Sequence, residues 1–595
     1  MSRTSVTPNP CSTMPDEFAT REVIVLPDAP TAVERSAAKE LADGIERMTG
    51  RLLPIIAEST VPEPSRRFYV GATRAAGPAA DWKPDEILVK PVADGVILTG
   101  HPQRGAIYAV DTYLEDVCGV RWWTSTEAHY PSYGRVPQPA AEIRHASPFT
   151  YRETYYLDGF DADFKVRLKG NVSSLTRFMF APMNFIPPEK GGDHRLYFFK
   201  GRGSAYHCFV EILPPWEHFA AHPEWFSLRD GERRAEQLCL VNPAMKERFI
   251  AETLRRLRED PAAVFIQVSQ NDGTGGACEC AGCQAVIAEE GGAASGFYLR
   301  FVNDVAAAVE QEFPHVTVDT FAYHFTRKPP AKARPRHNVT VRLCDITSGF
   351  NEPLETRRLD DGFTADLEAW SRIAPGRLYV WDYVANFSSY MLPRPNLGVL
   401  AANVRLFARS GAIGVFEQGD ALCTAGAFAP LMHWLLAHLL WNPAADEKAL
   451  VQDFLGGYYG PGAAPLLKRY LDGFNSAAAR HAAQGKKIGC YHRNIDFFIT
   501  PAEAREARGL MAAAVAAAER DGRDFARRVR REKLSIDHAF LLNWQVWGEK
   551  GDYRAAVNDW IETCREFGVA AFRETTDRGD FPNYCKELLA AAPAG

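Results

Sequence analysis

RLYVWDYVANF at residues 377–387 and AIGVFEQGD at residues 412–420 are apolar strands that run directly into polar and aromatic residues. The same rhythm extends upstream. AVFIQVSQND (263–272) enters a Gly-rich loop, VTVDTFAYHF (316–325) and TVRLCDI (340–346) follow, and helix-like segments such as FYLRFVNDVAAAVEQEF (297–313) lie between several of them. Val-rich strands alternating with helices indicate a parallel sheet covered on both faces. The expectation for residues 146–425 is a (β/α)8 TIM-type barrel, in which side chains at the carboxyl ends of the strands converge on one face.

Working outward, residues 20–145 alternate short strands with amphipathic helices and read as a small N-terminal α/β domain. Gly119 is placed to cap its last helix, and the Trp122-Trp123 pair that follows reads as a domain seam or a sugar platform, with the seam the commoner use of adjacent indoles. Residues 426–595 carry apolar side chains at three and four spacing and predict a C-terminal helical region. Tyr458, Tyr459 and Tyr491-His492 read there as packing or as residues reaching a neighbouring cleft. The fold class is therefore α/β, in three parts.

Composition narrows the function. The 595 residues are 46% hydrophobic and 24% charged, with a net charge of -6, and no basic run interleaved with aromatics marks a nucleic-acid groove. The longest apolar run, around 431–441, contains His433 and His438, so no membrane span is expected. Twelve thinly spread cysteines suit a reduced enzyme, and residues 1–17 lack the basic and apolar regions of a secretory signal, so a cytoplasmic location is expected. A homo-oligomer is compatible with all of this.

Chemistry is concentrated at the strand ends. Asp272, Asp345, Asp382 and Glu417 follow successive apolar runs, and glycoside hydrolysis needs two carboxyl groups flanking the scissile bond, one protonated and one ionised. Asn271, Tyr323, His324, Trp381, Tyr383, Asn386, Phe387 and Gln418 accompany them, a mixture of flat aromatics and amides that suits a sugar's C–H faces and hydroxyls. Cys278, Cys280 and Cys283 form C-x-C-x-x-C, which reads as a reduced or disulfide-bonded loop or as a structural metal site lacking its fourth ligand. His207, His218, His222, Glu224 and Glu236 are close in sequence but show no H-E-x-x-H pairing, and His207 is a candidate substrate contact. No cofactor is expected.

Several segments resemble one family: GHPQRGAIYAVDTYLEDVCGVRWW, HPEWFSL with DGER, QLCLVNP, VSQNDGTGGACECAGC, YHFTRKPP, VWDYVANFSSYMLPRPNL, GVFEQGD and GGYYGPGA. Together they are similar to the family labelled domain of unknown function 4838, which is grouped with α-glucuronidase-like (family 67) and hexosaminidase-like (family 20) glycoside hydrolases. The resemblance spans about residues 20–470 and implies a supporting α/β domain before a catalytic barrel. It also implies inverting chemistry of the family 67 kind, with Asp272, Asp382 and Glu417 as nearest counterparts by strand order. The adjacent Asp-Glu of family 20 is absent, since Asn271-Asp272 is followed by Gly273.

The resulting expectation is an exo-glycosidase acting on a uronic-acid-containing or otherwise decorated oligosaccharide. Asp272 or Glu417 is the acid and Asp382 the base, Trp381, Tyr383 and Asn386 shape the sugar pocket, Arg152 and Glu153 guard the first strand end, and Arg152 or Arg202 pairs with a uronate. The rival readings are a catalytically silent carbohydrate-binding barrel and a metal-dependent hydrolase or lyase using the cysteine loop.

Overall fold

Strand and helix signals in the first part of the chain build a small mixed sheet. A computed structural model describes residues 21–78, 81–174, 184–192, 195–197, 206–273, 275–359, 361–577 and 579–591. Strands β1 (Glu22–Leu26), β2 (Ile55–Ala57), β3 (Arg66–Val70), β4 (Ile87–Val92), β5 (Gly95–Gly100) and β6 (Ile143–His145) lie in the order β2-β1-β3-β5-β4-β6. The helix Ala32–Thr49 starts at a capping box between Thr31 and Glu34 and stops at Gly50, whose φ of 70° needs no Cβ. This unit comprises Met1–Arg121 with His129–Ala146, and a second holds Trp122–Ala128 with Ser147–Gly595. The barrel region and the helical region, separated at residue 425 in the sequence reading, thus form one compact unit.

In the second unit eight strands form one sheet: β7 (Tyr151–Tyr155), β8 (Ser173–Ser174), β9 (Arg195–Tyr197), β10 (Phe265–Gln267), β11 (Thr317–Ala322), β12 (Val339–Cys344), β13 (Leu378–Tyr383) and β14 (Gly414–Gln418). Their order is β8-β9-β10-β11-β12-β13-β14-β7, and all seven ladders are parallel. Parallel neighbours need crossovers, and the helices Pro243–Glu259, Ala294–Glu312, Phe363–Ile373 and Leu400–Arg409 supply four of them. The helix Ala429–Trp441, read from sequence as part of the helical region, packs on β7. No described helix is long and apolar enough to cross a membrane.

The sheet is curled, as its own side chains show. Phe265 on β10 and Tyr379 on β13 are three strands apart, about 14 Å across a flat sheet, yet their ring centroids are 6.1 Å apart. That face is therefore concave. Its alternate residues include Tyr151, Glu153 and Tyr155 on β7, Asp319 and Phe321 on β11, Arg342 and Cys344 on β12, Tyr379, Trp381 and Tyr383 on β13, and Phe416 and Gln418 on β14. At its floor Arg342 pairs with Asp319 at 3.1 Å, both fully buried, and also donates to the Tyr151 hydroxyl at 3.2 Å. The guanidinium lies 4.8 Å from the Tyr151 ring and 5.4 Å from that of Tyr379. Burial works against the Arg342 charge, and Asp319 with the Tyr151 and Tyr206 hydroxyls more than restores it.

The opposite register row points into the outer, helix-covered layer. Asp382 pairs with Glu417 across the β13–β14 ladder, and Glu417 with Thr154 across β14–β7. The amide of Asp345, one residue past β12, donates to the Trp381 carbonyl at 3.3 Å, which sets Asp345 beside Asp382. All three carboxyls are at most 1% exposed. Those of Asp345 and Glu417 find no donor among the described residues. Burial and the neighbouring Asp382 charge push both well above the ordinary carboxylate range. Asp382 is also raised by burial, but Asp345, the Tyr383 amide, Arg394 and Glu417 all favour its charge. The three carboxyls thus lie side by side in the covered layer, each raised above its ordinary range chiefly by burial.

Two tests follow from these faces. Asp319→Asn strands the Arg342 charge and should cost about 3–5 kcal/mol in chemical denaturation. The double variant Asp319→Leu, Arg342→Met should recover most of that loss, and equal losses in both would contradict a floor held by the pair. For the three carboxyls, raised folded values mean that their contribution is complete below about pH 4 and is lost as pH rises through those values. The non-titrating Glu417→Gln should therefore gain on wild type in thermal stability as pH rises above about 4. A difference that stays flat with pH contradicts a raised Glu417 carboxyl.

Candidate active site

At the carboxyl end of the concave face the strands hand over to loops, and two carboxyls, Asp272 and Glu574, lie there within electrostatic reach of each other. Asp272 follows β10, and its Oδ1 accepts from the Gly273 amide at 2.7 Å and the Tyr323 hydroxyl at 3.1 Å, with His207 Nε2 at 3.7 Å. Its side chain is 70% exposed, and Oδ2 has no protein partner among the described residues. The second carboxyl is Glu574, from the segment after the helix Tyr553–Glu566. Its amide donates to the Phe387 carbonyl at 3.0 Å. Gln418 Nε2 donates to Glu574 Oε1 at 3.1 Å, and the Tyr491 hydroxyl donates to Oε2 at 3.4 Å. Burial pushes the Glu574 carboxyl up to about 7 and the Asp272 charge adds to the shift, while the Tyr491 hydrogen bond opposes it.

Aromatic rings pack beneath these carboxyls. Trp381 stacks on Tyr383 at 6.1 Å, meets Tyr206 edge-on at 4.6 Å, and donates from Nε1 to Gln418 Oε1 at 2.8 Å. Tyr383 and Tyr491 both contact Phe387, at 6.1 and 5.5 Å. Thus Trp381 holds Gln418 and Gln418 holds Glu574. His207 rests against Phe321 and Tyr323, with its Nδ1 3.0 Å from the Gln270 carbonyl, and burial lowers its pKa. His324, at 4.1 Å from the Tyr323 ring, is lowered for the same reason.

Of the residues singled out from sequence, Asp272, His207, Tyr323, His324, Trp381, Tyr383 and Gln418 gather here. Asp345, Asp382 and Glu417 do not, because one step along a strand reverses the face, and theirs is the helix-covered one. Asn271 is near but occupied: it accepts from the Val210 amide at 2.7 Å and donates to the Glu236 carbonyl at 2.8 Å, so it shapes the loop. Asn386 spends both amide atoms on the backbone of His492. Glu153 is on the concave face but is sealed by Lys165 at 2.9 Å and by Asn184. Arg152 points outward, donating to the Phe149 and Lys169 carbonyls beside the Trp441 ring, which removes it as a uronate partner. Arg202 lies outside the described residues.

Other candidates also resolve. Trp122 and Trp123 are buried, Trp123 against Trp434 and Phe454, which is packing and not a sugar platform. Tyr458 and Tyr459 are bonded to Glu127 and Glu532. His222 stacks on Trp225 at 4.2 Å. Among the described residues one group of ligand atoms is compact enough for a metal ion: Cys278, Cys280 and Cys283 with Cys239, a fourth thiol the sequence reading did not find.

Comparison with known proteins agrees with this architecture. No curated protein matches in sequence. An enzyme of glycoside hydrolase family 138 targeting the pectin rhamnogalacturonan II superimposes with a TM-score of 0.55 at 10% identity, covering 96% of this chain and 98% of that one. A family 89 glycoside hydrolase from Clostridium perfringens, solved with PUGNAc, gives 0.50 at 12% identity, covering 89% and 65%. At such identities the likeness concerns the fold. Residues 122–472, more than half of the chain and including Asp272, Tyr323, Trp381 and Gln418, match the profile of the family described as domain of unknown function DUF4838. The chain belongs to the DUF4838 family.

Proposed function

We propose that the protein is a glycoside hydrolase whose working carboxyls are Asp272 and Glu574. The observation that carries this reading is that the Glu574 carboxyl, pushed up to about 7 by burial, lies within electrostatic reach of the exposed Asp272 carboxyl at the carboxyl end of the sheet. Hydrolysis of a glycosidic bond needs one carboxyl that still owns a proton near neutral pH and a second that acts on the other side of the sugar. Glu574 donates its proton to the glycosidic oxygen as the C–O bond breaks. Asp272 either activates water or attacks the anomeric carbon, and Trp381, Tyr383 and Tyr491 offer ring surface to the sugar.

The scaffold for this chemistry is inferred to be a closed (β/α)8 barrel. The ladder between β14 and β7 joins the last strand to the first. At the β7–β8 seam, Asn171 bonds Arg152 through its amide to the carbonyl, 3.4 Å, and through its Oδ1 to the amide, 3.0 Å. The finer reading, an α-glucuronidase-like exo-enzyme on uronic-acid-capped or otherwise decorated oligosaccharides, is supported by the sequence resemblance, with His207 and His324, beside Tyr323, as further sugar contacts.

Activity screens on aryl glycosides and uronic-acid-capped oligosaccharides should yield a substrate on which Glu574→Gln and Asp272→Asn each lower kcat/KM by about 10²- to 10⁴-fold. Glu417→Gln should stay within about tenfold of wild type, since it leaves both of these carboxyls untouched. Because Glu574 must be protonated to act, wild-type kcat/KM should fall as pH rises above about 7, and that limb should vanish in Glu574→Gln. Loss of activity in Glu417→Gln with retention in Glu574→Gln would sink the assignment, and binding without turnover would favour a silent carbohydrate-binding barrel.

A further inference from the structure

Four cysteines converge at the base of the loop that carries Asp272. Cys239 ends the hairpin formed by Phe226–Arg229 and Glu232–Leu238, which reverses at Asp230-Gly231, both with positive φ. Its amide donates to the Trp225 carbonyl at 2.8 Å. Cys278 precedes a second tie, Glu279 N to the Leu228 carbonyl at 2.8 Å, which lays the loop along the same hairpin. Cys280 caps the helix Ala281–Glu289, and Cys283 is in its first turn.

The four Sγ atoms lie within 4.8 Å of one another, and Cys239 is 3.7 Å from both Cys280 and Cys283. None is in a disulfide. A tetrahedral zinc ion with Zn–S bonds of about 2.3 Å sets its sulfurs about 3.8 Å apart, a spacing that Cys239 already holds to two of its partners. The Leu228 amide points at Cys278 Sγ at 3.3 Å, a donor that suits a thiolate. Cys239, Cys278 and Cys283 are at most 3% exposed, which leaves no open position for a substrate.

We propose that Cys239, Cys278, Cys280 and Cys283 bind one zinc ion in a closed, structural tetrathiolate site. Four protein ligands complete the coordination shell, so the metal acts on folding and not on bond cleavage. Its target is the loop between β10 and the helix Ala281–Glu289. Gln237, two residues before Cys239, exchanges hydrogen bonds with the Asn271 backbone at 2.8 and 3.1 Å, next to Asp272. Zinc thus clamps the hairpin and the Asp272 loop from one end while the amide pair holds the other. The metal site stands independently of the glycosidase reading.

Elemental analysis of the full-length protein, purified under reducing conditions without chelator, should give one zinc per chain. A mercurial thiol reagent should release it to a metallochromic indicator. Cys239→Ser and Cys283→Ser should each drop the content below about a tenth of an ion per chain, whereas Cys344→Ser, away from the cluster, should retain it. Should the serine variants fail to fold, cobalt exchanged into wild type still decides, through the visible absorption of a tetrahedral cobalt–thiolate centre. Folded wild type that carries no stoichiometric zinc and takes up neither zinc nor cobalt overturns the proposal, as does stoichiometric zinc that survives in Cys239→Ser.

Discussion

The buried pair between Arg342 and Asp319 is the constraint around which the second unit is organised. It sits at the floor of the concave face, where the side chains of several strands converge and both charged groups are fully buried. An ion pair in such a place is costly unless the surrounding polar groups hold it in position. Thr340 bonds the other Asp319 oxygen at 2.8 Å, and the Tyr151 hydroxyl and the Tyr379 ring take up the guanidinium. Those commitments fix which residues of β7, β11, β12 and β13 face inward. Once Tyr379 is inward, Trp381 and Tyr383 must be inward too, and the aromatic layer beneath the two carboxyls follows.

The same parity sends Asp382 and Glu417 outward, and here the sequence was least legible. The strands could be read from their apolar runs, as could the parallel order and the helical tail. The face could not. In a half-buried antiparallel strand the polar side marks solvent, but both faces of these strands are covered. Val380 and Tyr379 are equally buried, so hydropathy does not say which looks inward. A carboxylate after an apolar run is then equally compatible with a site and with a buried structural acid. Asp272 escaped the ambiguity because it lies beyond the strand, in a loop whose position does not depend on strand parity.

What the sequence could not show came from far along the chain. Glu574 is one acid among 74 acidic residues, in a segment with no strand pattern, and only folding places it on the Phe387 carbonyl and Gln418. Tyr491 reaches the same carboxyl from a loop between helices. Cys239 is 39 residues from Cys278, a separation at which no spacing rule links a lone cysteine to a C-x-C-x-x-C run. Glu574 and Cys239 were missed, and Tyr491 was left between packing and a cleft, for one reason: the contacts that define them are tertiary, and the local pattern around each is that of an ordinary loop or turn.

If the sugar is cleaved between Asp272 and Glu574 on the concave side, a crystal structure of Asp272→Asn with a bound oligosaccharide will show it. The glycosidic oxygen should lie within hydrogen-bond reach of Glu574, and residue 272 on the opposite side of the sugar ring, with the two carboxyl positions about 5–10 Å apart. Trp381 or Tyr383 should lie under the ring. A sugar bound on the helix-covered side near Asp382 and Glu417, or one whose glycosidic oxygen lies beyond the reach of Glu574, would contradict it.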